Sequence, residues 1–182
     1  ASCRMMSGEG LAPKAAWQTV YSLYGGQEYA LQVTPDAAFL DGWDRSLLAA
    51  LYHTEAEKPL LTAFLATDGI PRAVAVRDFG QEGELQTAPG MKVLHALRPP
   101  RTFFLSPGLV FGAGEWMRTA RASNWDGTGV LSLTLHAFAG GYTAFVPHLP
   151  SVCRISSAIF PVENIPAGDW TAVMKEFEKA AG

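Results

Sequence analysis

The run Tyr29-Ala30-Leu31-Gln32-Val33 reads as a short strand, and it ends in Thr34-Pro35-Asp36. Pro35 has no N–H to give to a ladder, so the strand must stop there. In a covered α/β sheet, ligands bind outside the carboxyl ends of the strands, which makes this triplet the first place where chemistry is expected. A lone aspartate at such a position admits two roles. Asp36 is either an oxygen ligand that holds a Mg²⁺-like cation together with waters, or an Asx-turn residue behind a proline. Asp126, in Asn124-Trp125-Asp126-Gly127, precedes a helical pattern, where an aspartate serves as a cap. His53, His95 and His136 fall in helix- or strand-like runs with no partner at ligand spacing, and His148 stands alone behind Pro147. Cys3 and Cys153 have neither metal-ligand spacing nor the framework of a disulfide-stapled domain, so two reduced thiols are expected.

The elements that must position these residues follow from periodicity. Over 12–24, Ala16, Trp17, Val20, Leu23 and Tyr24 recur at helical spacing before the stop at Gly25-Gly26. A second helix is predicted over 43–53, with Leu47, Leu48 and Leu51 on one side and Asp41 or Gly42 near its start. Strands are predicted at 29–33, 59–66, 73–79, 102–105, 109–111 and 142–146, and a Gly- and Glu-rich loop at 80–90. Further helices are predicted at 115–120 and about 128–139, the latter ending at Gly140-Gly141. Residues 169–180 read as an amphipathic helix capped by Asp169, with Trp170, Val173, Met174 and Phe177 on its apolar side. Alternating strands and helices predict an α/β fold, a central mainly parallel sheet flanked by helices, in one domain spanning 1–182 with 169–180 packed as a cover. Leu31, Val33, Leu60, Leu61 and Phe64 are its expected buried strand residues.

The balance of 14 Lys and Arg against 17 Asp and Glu, net charge −3, disfavours a nucleic-acid partner, which would call for a basic stripe. The longest apolar-rich stretch, 102–114, is interrupted by Ser106, Pro107 and glycines and is too short to span a bilayer. The first residues lack the apolar core of a signal peptide, and a cytoplasmic location is expected.

Several blocks together resemble a known family. Leu23-Tyr24-Gly25-Gly26-Gln27-Glu28-Tyr29-Ala30-Leu31-Gln32-Val33, followed by Phe39 and Trp43-Asp44, is similar to the signature of the protein-hydroxyproline N-acetylglucosaminyltransferases, which have the GT-A type of glycosyltransferase fold. The likeness continues in Lys58-Pro59-Leu60-Leu61-Thr62, in Leu105-Ser106-Pro107-Gly108-Leu109-Val110-Phe111, and in Gly140-Gly141-Tyr142 followed by Pro147, covering roughly 10–154. It implies a nucleotide-sugar donor, a protein or glycan acceptor, and a divalent cation, Mn²⁺ or Mg²⁺, that neutralises the departing diphosphate. Trp116 and Trp125 would then offer ring faces to a sugar, and Gly108 would lie among the donor and acceptor contacts.

At three places the chain departs from that family. Where the family has Asp-x-His or Asp-x-Asp after the strand, this chain has Thr34-Pro35-Asp36, leaving Asp36 as the metal ligand. Where the family has a carboxylate at a helix start to deprotonate the acceptor, this chain has Thr128-Gly129-Val130, and Asp126 takes the catalytic role if the loop is shifted. Where the family has a late metal histidine, this chain has Cys153 or Arg154; Arg154 would compensate diphosphate charge directly as a donor-binding residue. Three accounts therefore stand at the level of sequence: an active transferase, a degenerate module that binds sugar or protein, and a piece of a larger transferase whose upstream segment makes the nucleotide contacts. The third follows from the absence of room before residue 12 for a first nucleotide-binding βαβ unit.

Overall fold

The computed structural model describes residues 13–79, 85–93, 96–122 and 130–155. In chain order its elements begin with α1 (Pro13–Ser22), β1 (Tyr29–Val33), β2 (Ala37–Phe39), α2 (Trp43–Tyr52), β3 (Pro59–Thr62) and β4 (Arg72–Phe79). They continue with β5 (Leu85–Lys92), β6 (Leu109–Ala113), α3 (Trp116–Ala122), α4 (Val130–Ala139), β7 (Thr143–Phe145) and β8 (Val152–Arg154). The centre is a four-stranded sheet in the order β1-β6-β3-β7. Two small ladders, β2 with β8 and β4 with β5, complete the strand pairing among the described residues.

Successive residues of a strand point to opposite faces of its sheet, and here both faces are apolar. Leu60, Val110 and Ala144 pack on one side against Tyr21, Trp116, Met117, Leu133 and Ala137 from α1, α3 and α4. Leu61, Phe111 and Phe145 pack on the other against Leu47, Ala50 and Leu51 of α2. An α/β sheet with helices on both faces is the architecture that the alternating pattern predicts.

The sheet is mixed, which corrects the mainly parallel expectation. Both β1 and β3 pair antiparallel with β6, and only β3 with β7 is a parallel pair. Three strands thus share a direction and β6 runs against them from between β1 and β3. A strand buried on both faces shows the same apolar run whichever way it points, so periodicity carries no information on direction. The central seat of β6 depends on Gly112, where an added Cβ would lie 2.6 Å from Leu60 Cδ2 and 2.9 Å from the Pro59 carbonyl oxygen.

Other boundaries move for local reasons. Residues 85–90, expected within a loop over 80–90, belong to β5, which pairs with β4 with register shifts that let Pro89 and Gly90 sit in a strand. The loop centre at 80–84 lies outside the described residues, as does the tail helix of 169–180. Residues 102–105 are not a strand; Arg101 makes an isolated bridge to Phe145, while Thr102 N–H donates to the Ala144 carbonyl. Leu60 and Leu61 are fully buried as expected. Leu31 and Val33 are only half-buried, because β1 is an outer strand of the sheet, and so is Phe64, which lies beyond the end of β3.

Candidate functional site

The strand directions bring the carboxyl ends of β1, β3 and β7 to one end of the sheet, together with the amino end of β6. The chain turns there after β1. Ala37 N–H donates to the Thr34 carbonyl at 3.1 Å, closing a turn with Pro35 and Asp36 at its two central positions. Proline suits the first of those because its φ is already set. Asp36 therefore occupies the third position of this turn, which holds its carboxylate at the sheet end.

The small ladder β2·β8 carries a second charged group to the same place. Its register sets Ala37 opposite Arg154, Ala38 opposite Cys153 and Phe39 opposite Val152. Arg154 N–H donates to the Ala66 carbonyl at 3.1 Å and Ile155 N–H to the Asp36 carbonyl at 2.7 Å, so the backbone of β8 is held from both sides. From this position Arg154 Nε donates to Asp36 Oδ2 at 2.5 Å. Burial works to raise the Asp36 pKa, but the hydrogen bonds from Thr34 and Arg154 outweigh it and hold the carboxyl below its ordinary range. Arg154 is engaged through Nε, and its two terminal amino groups have no partner among the described residues. An arginine oriented in this way presents a planar fork suited to a phosphate or carboxylate.

Gly108 belongs to the turn on the amino side of β6. Leu109 N–H reaches the Ser106 carbonyl at 3.3 Å, and Gly108 N–H donates to Ser106 Oγ at 3.1 Å. Ser106 N–H in turn donates to buried Thr62 Oγ1 at 2.7 Å, which ties this turn to the end of β3. Because Leu109 is the partner of Val33, the Gly108 turn lies beside the end of β1 that leads into Thr34-Pro35-Asp36.

One expected site residue is placed otherwise. Trp116 is a core residue, 1% exposed and edge-on to Tyr21 with ring centroids 6.1 Å apart, so its face is not open to a sugar. The helical spacing of α3 points it inward at Met117 and Ala120, which sequence could not separate from outward stacking. Trp125 and Asp126 lie outside the described residues. Of the three charged residues expected to converge, Asp36 and Arg154 are thus in contact.

The donor set fits a divalent cation poorly. Asp36 already neutralises a guanidinium, and among the described residues no three of His, Cys, Asp and Glu form a metal-holding group.

Sequence spacing missed one pair. His53, at the end of α2, meets His148 with ring centroids 5.6 Å apart, and burial followed by the neighbouring His53 pushes the His148 pKa down. Their separation along the chain matches no ligand motif, and only the folded chain shows the contact. Cys153 is a free thiol beside the site, its pKa raised by burial. Among the described residues no helix is long and apolar enough to cross a membrane. No family model matches the chain, and no curated protein matches it at a significant level.

Proposed function

We propose that this chain is a GT-A-like sugar-transfer domain that takes a sugar of the N-acetylglucosamine type from a nucleotide-sugar donor and places it on a hydroxyl of a protein or glycan. The observation that carries the proposal is the contact of Arg154 with Asp36 at the carboxyl end of β1, where ligands of α/β sheets bind. The support from sequence is the order of blocks around Leu23–Val33, Lys58–Thr62, Leu105–Phe111 and Gly140–Tyr142.

In this proposal Asp36 is a positioning residue and Arg154 is the donor contact. Fixed through Nε, the guanidinium turns its terminal amino groups to the diphosphate and opposes the charge that grows as the sugar–phosphate bond breaks. The Gly108 turn lies beside that bond, Trp125 stacks on a pyranoside face, and Asp126 accepts the proton of the attacking hydroxyl. The leaving group is the nucleoside diphosphate.

A second account, a module that binds sugar or protein without transfer, is favoured by one observation: the last carboxylate of the expected metal loop is already paired with a cation. Calorimetric titration of UDP-N-acetylglucosamine, with and without Mn²⁺, separates the two when coupled to an assay for released UDP. Transfer predicts metal-independent donor binding, UDP release with a hydroxyl acceptor, and loss of binding in Arg154→Ala. Binding of a glycan without UDP release would replace the first account by the second, and an absence of nucleotide-sugar binding would end the transferase proposal.

A further inference from the structure

Helix α4 is apolar on two sides, and among the described residues only one of them is packed into a core. Val130, Leu133, Thr134 and Ala137 are buried, with Leu133 and Ala137 in the core formed with α1 and α3. On another side Leu131, Leu135 and Phe138 are 43%, 56% and 43% exposed. At 3.6 residues per turn these three lie within about 60° of one another, a single stripe along the helix. A helix that is apolar nearly all round belongs in an interior, and an exposed stripe of Leu, Leu and Phe marks a contact surface.

The chain itself carries a segment with the complementary pattern. Residues 169–180 place Trp170, Val173, Met174 and Phe177 at i, i+3, i+4 and i+7, with Lys175, Lys179, Glu176 and Glu178 among the remaining positions. That mixed-charge polar side suits water better than an anionic lipid surface. The described residues end at Ile155, and 156–168, which include Pro161 and Pro166, could span about 40 Å when extended. That reach is sufficient to cross the face of a domain of this size.

We infer that the exposed stripe of α4 is the docking surface for the chain's own C-terminal segment, with Leu131, Leu135 and Phe138 receiving Trp170, Val173, Met174 and Phe177. Docking completes the cover of α4 and returns the chain end to the side of the sheet carrying α1, α3 and α4. This inference is independent of the transferase proposal.

The test uses the full chain with Cys3→Ser and Cys153→Ser as background. A single cysteine introduced by Leu135→Cys should react with a maleimide roughly tenfold or more slowly than one introduced by Leu97→Cys, a residue 94% exposed. Adding Val173→Glu and Phe177→Glu should raise the Leu135→Cys rate to that of the exposed control. Equal rates at the two positions, unaffected by the tail substitutions, would overturn the inference. If Leu135→Cys does not fold, Leu131→Cys takes its place. Mild oxidation of the pair Leu135→Cys with Met174→Cys should give an intramolecular disulfide. A disulfide-linked dimer as the main product would mean that a second copy occupies the stripe, and would equally overturn it.

Discussion

Arg154 and Asp36 are separated by 118 residues and joined by a 2.5 Å contact from Nε to Oδ2. The ladder that brings them together is short, three residues of β2 against three of β8, and β8 is further tied down by the Ala66 and Asp36 carbonyls. The pair is half-open to solvent, with side chains 55% and 36% exposed, which sets what it can do. At that exposure an ion pair orients groups more than it stabilises the fold.

Arg154→Ala should accordingly change the unfolding free energy by less than about 1 kcal/mol, and urea denaturation measures it. NMR titration should show the Asp36 carboxyl moving up towards its ordinary pKa in that variant. The contribution of the depressed carboxyl is present above its unfolded value of 3.8 and is lost as the pH falls through the folded value below it. A much larger loss at neutral pH would give the pair a structural task in place of an orienting one.

Thr62→Val should cost about 1–3 kcal/mol, because it leaves the Ser106 N–H without its acceptor in a buried position. Thr62→Ser keeps the hydroxyl and should recover a large part of that loss. If the Val and Ser variants unfold at the same denaturant concentration, the hydrogen bond is not what holds the Gly108 turn.

Gly114→Ala should destabilise by about 1–3 kcal/mol through overpacking alone. An added Cβ would press into the Gln27 carbonyl oxygen and the Tyr24 ring, at the point where Gly114 N–H donates to the Glu28 carbonyl. Gly26→Ala meets no neighbour and differs in kind, since its cost comes from a φ of 95°. Thermal unfolding of the two, with a structure of whichever folds, distinguishes a displaced loop at 25–28 from backbone strain.

The histidine pair predicts a pH dependence. The folded-state pKa of His148 lies below its ordinary value of 6.5, so the unfolded chain binds the proton more readily. Stability from this group is therefore present above 6.5 and declines as the pH falls towards the folded value, below which it stays flat. His148→Gln should flatten the change in Tm between neutral pH and pH 5, and an unaltered slope would assign that change to other groups. His53→Gln should flatten it less, because burial outranks the neighbouring ring as the cause.

What the sequence alone determined is local. Pro35 ended β1 where the turn forms, Gly140-Gly141 ended α4, and the spacing of Leu47, Leu48 and Leu51 gave α2 its apolar side, because each depends on neighbours within a turn or two. The α/β class followed from the alternation of those elements. Strand direction did not, since apolar runs such as Leu60-Leu61 and Leu109-Val110-Phe111 read the same from either end. Nor did β2 and β8, whose three residues are too few to show a period and form strands only by pairing with one another. The Asp36–Arg154 and His53–His148 contacts and the inward turn of Trp116 were decided by tertiary structure. Each depends on groups far apart in the chain, whose proximity exists only after the sheet has closed around β6 and the helices have covered its faces.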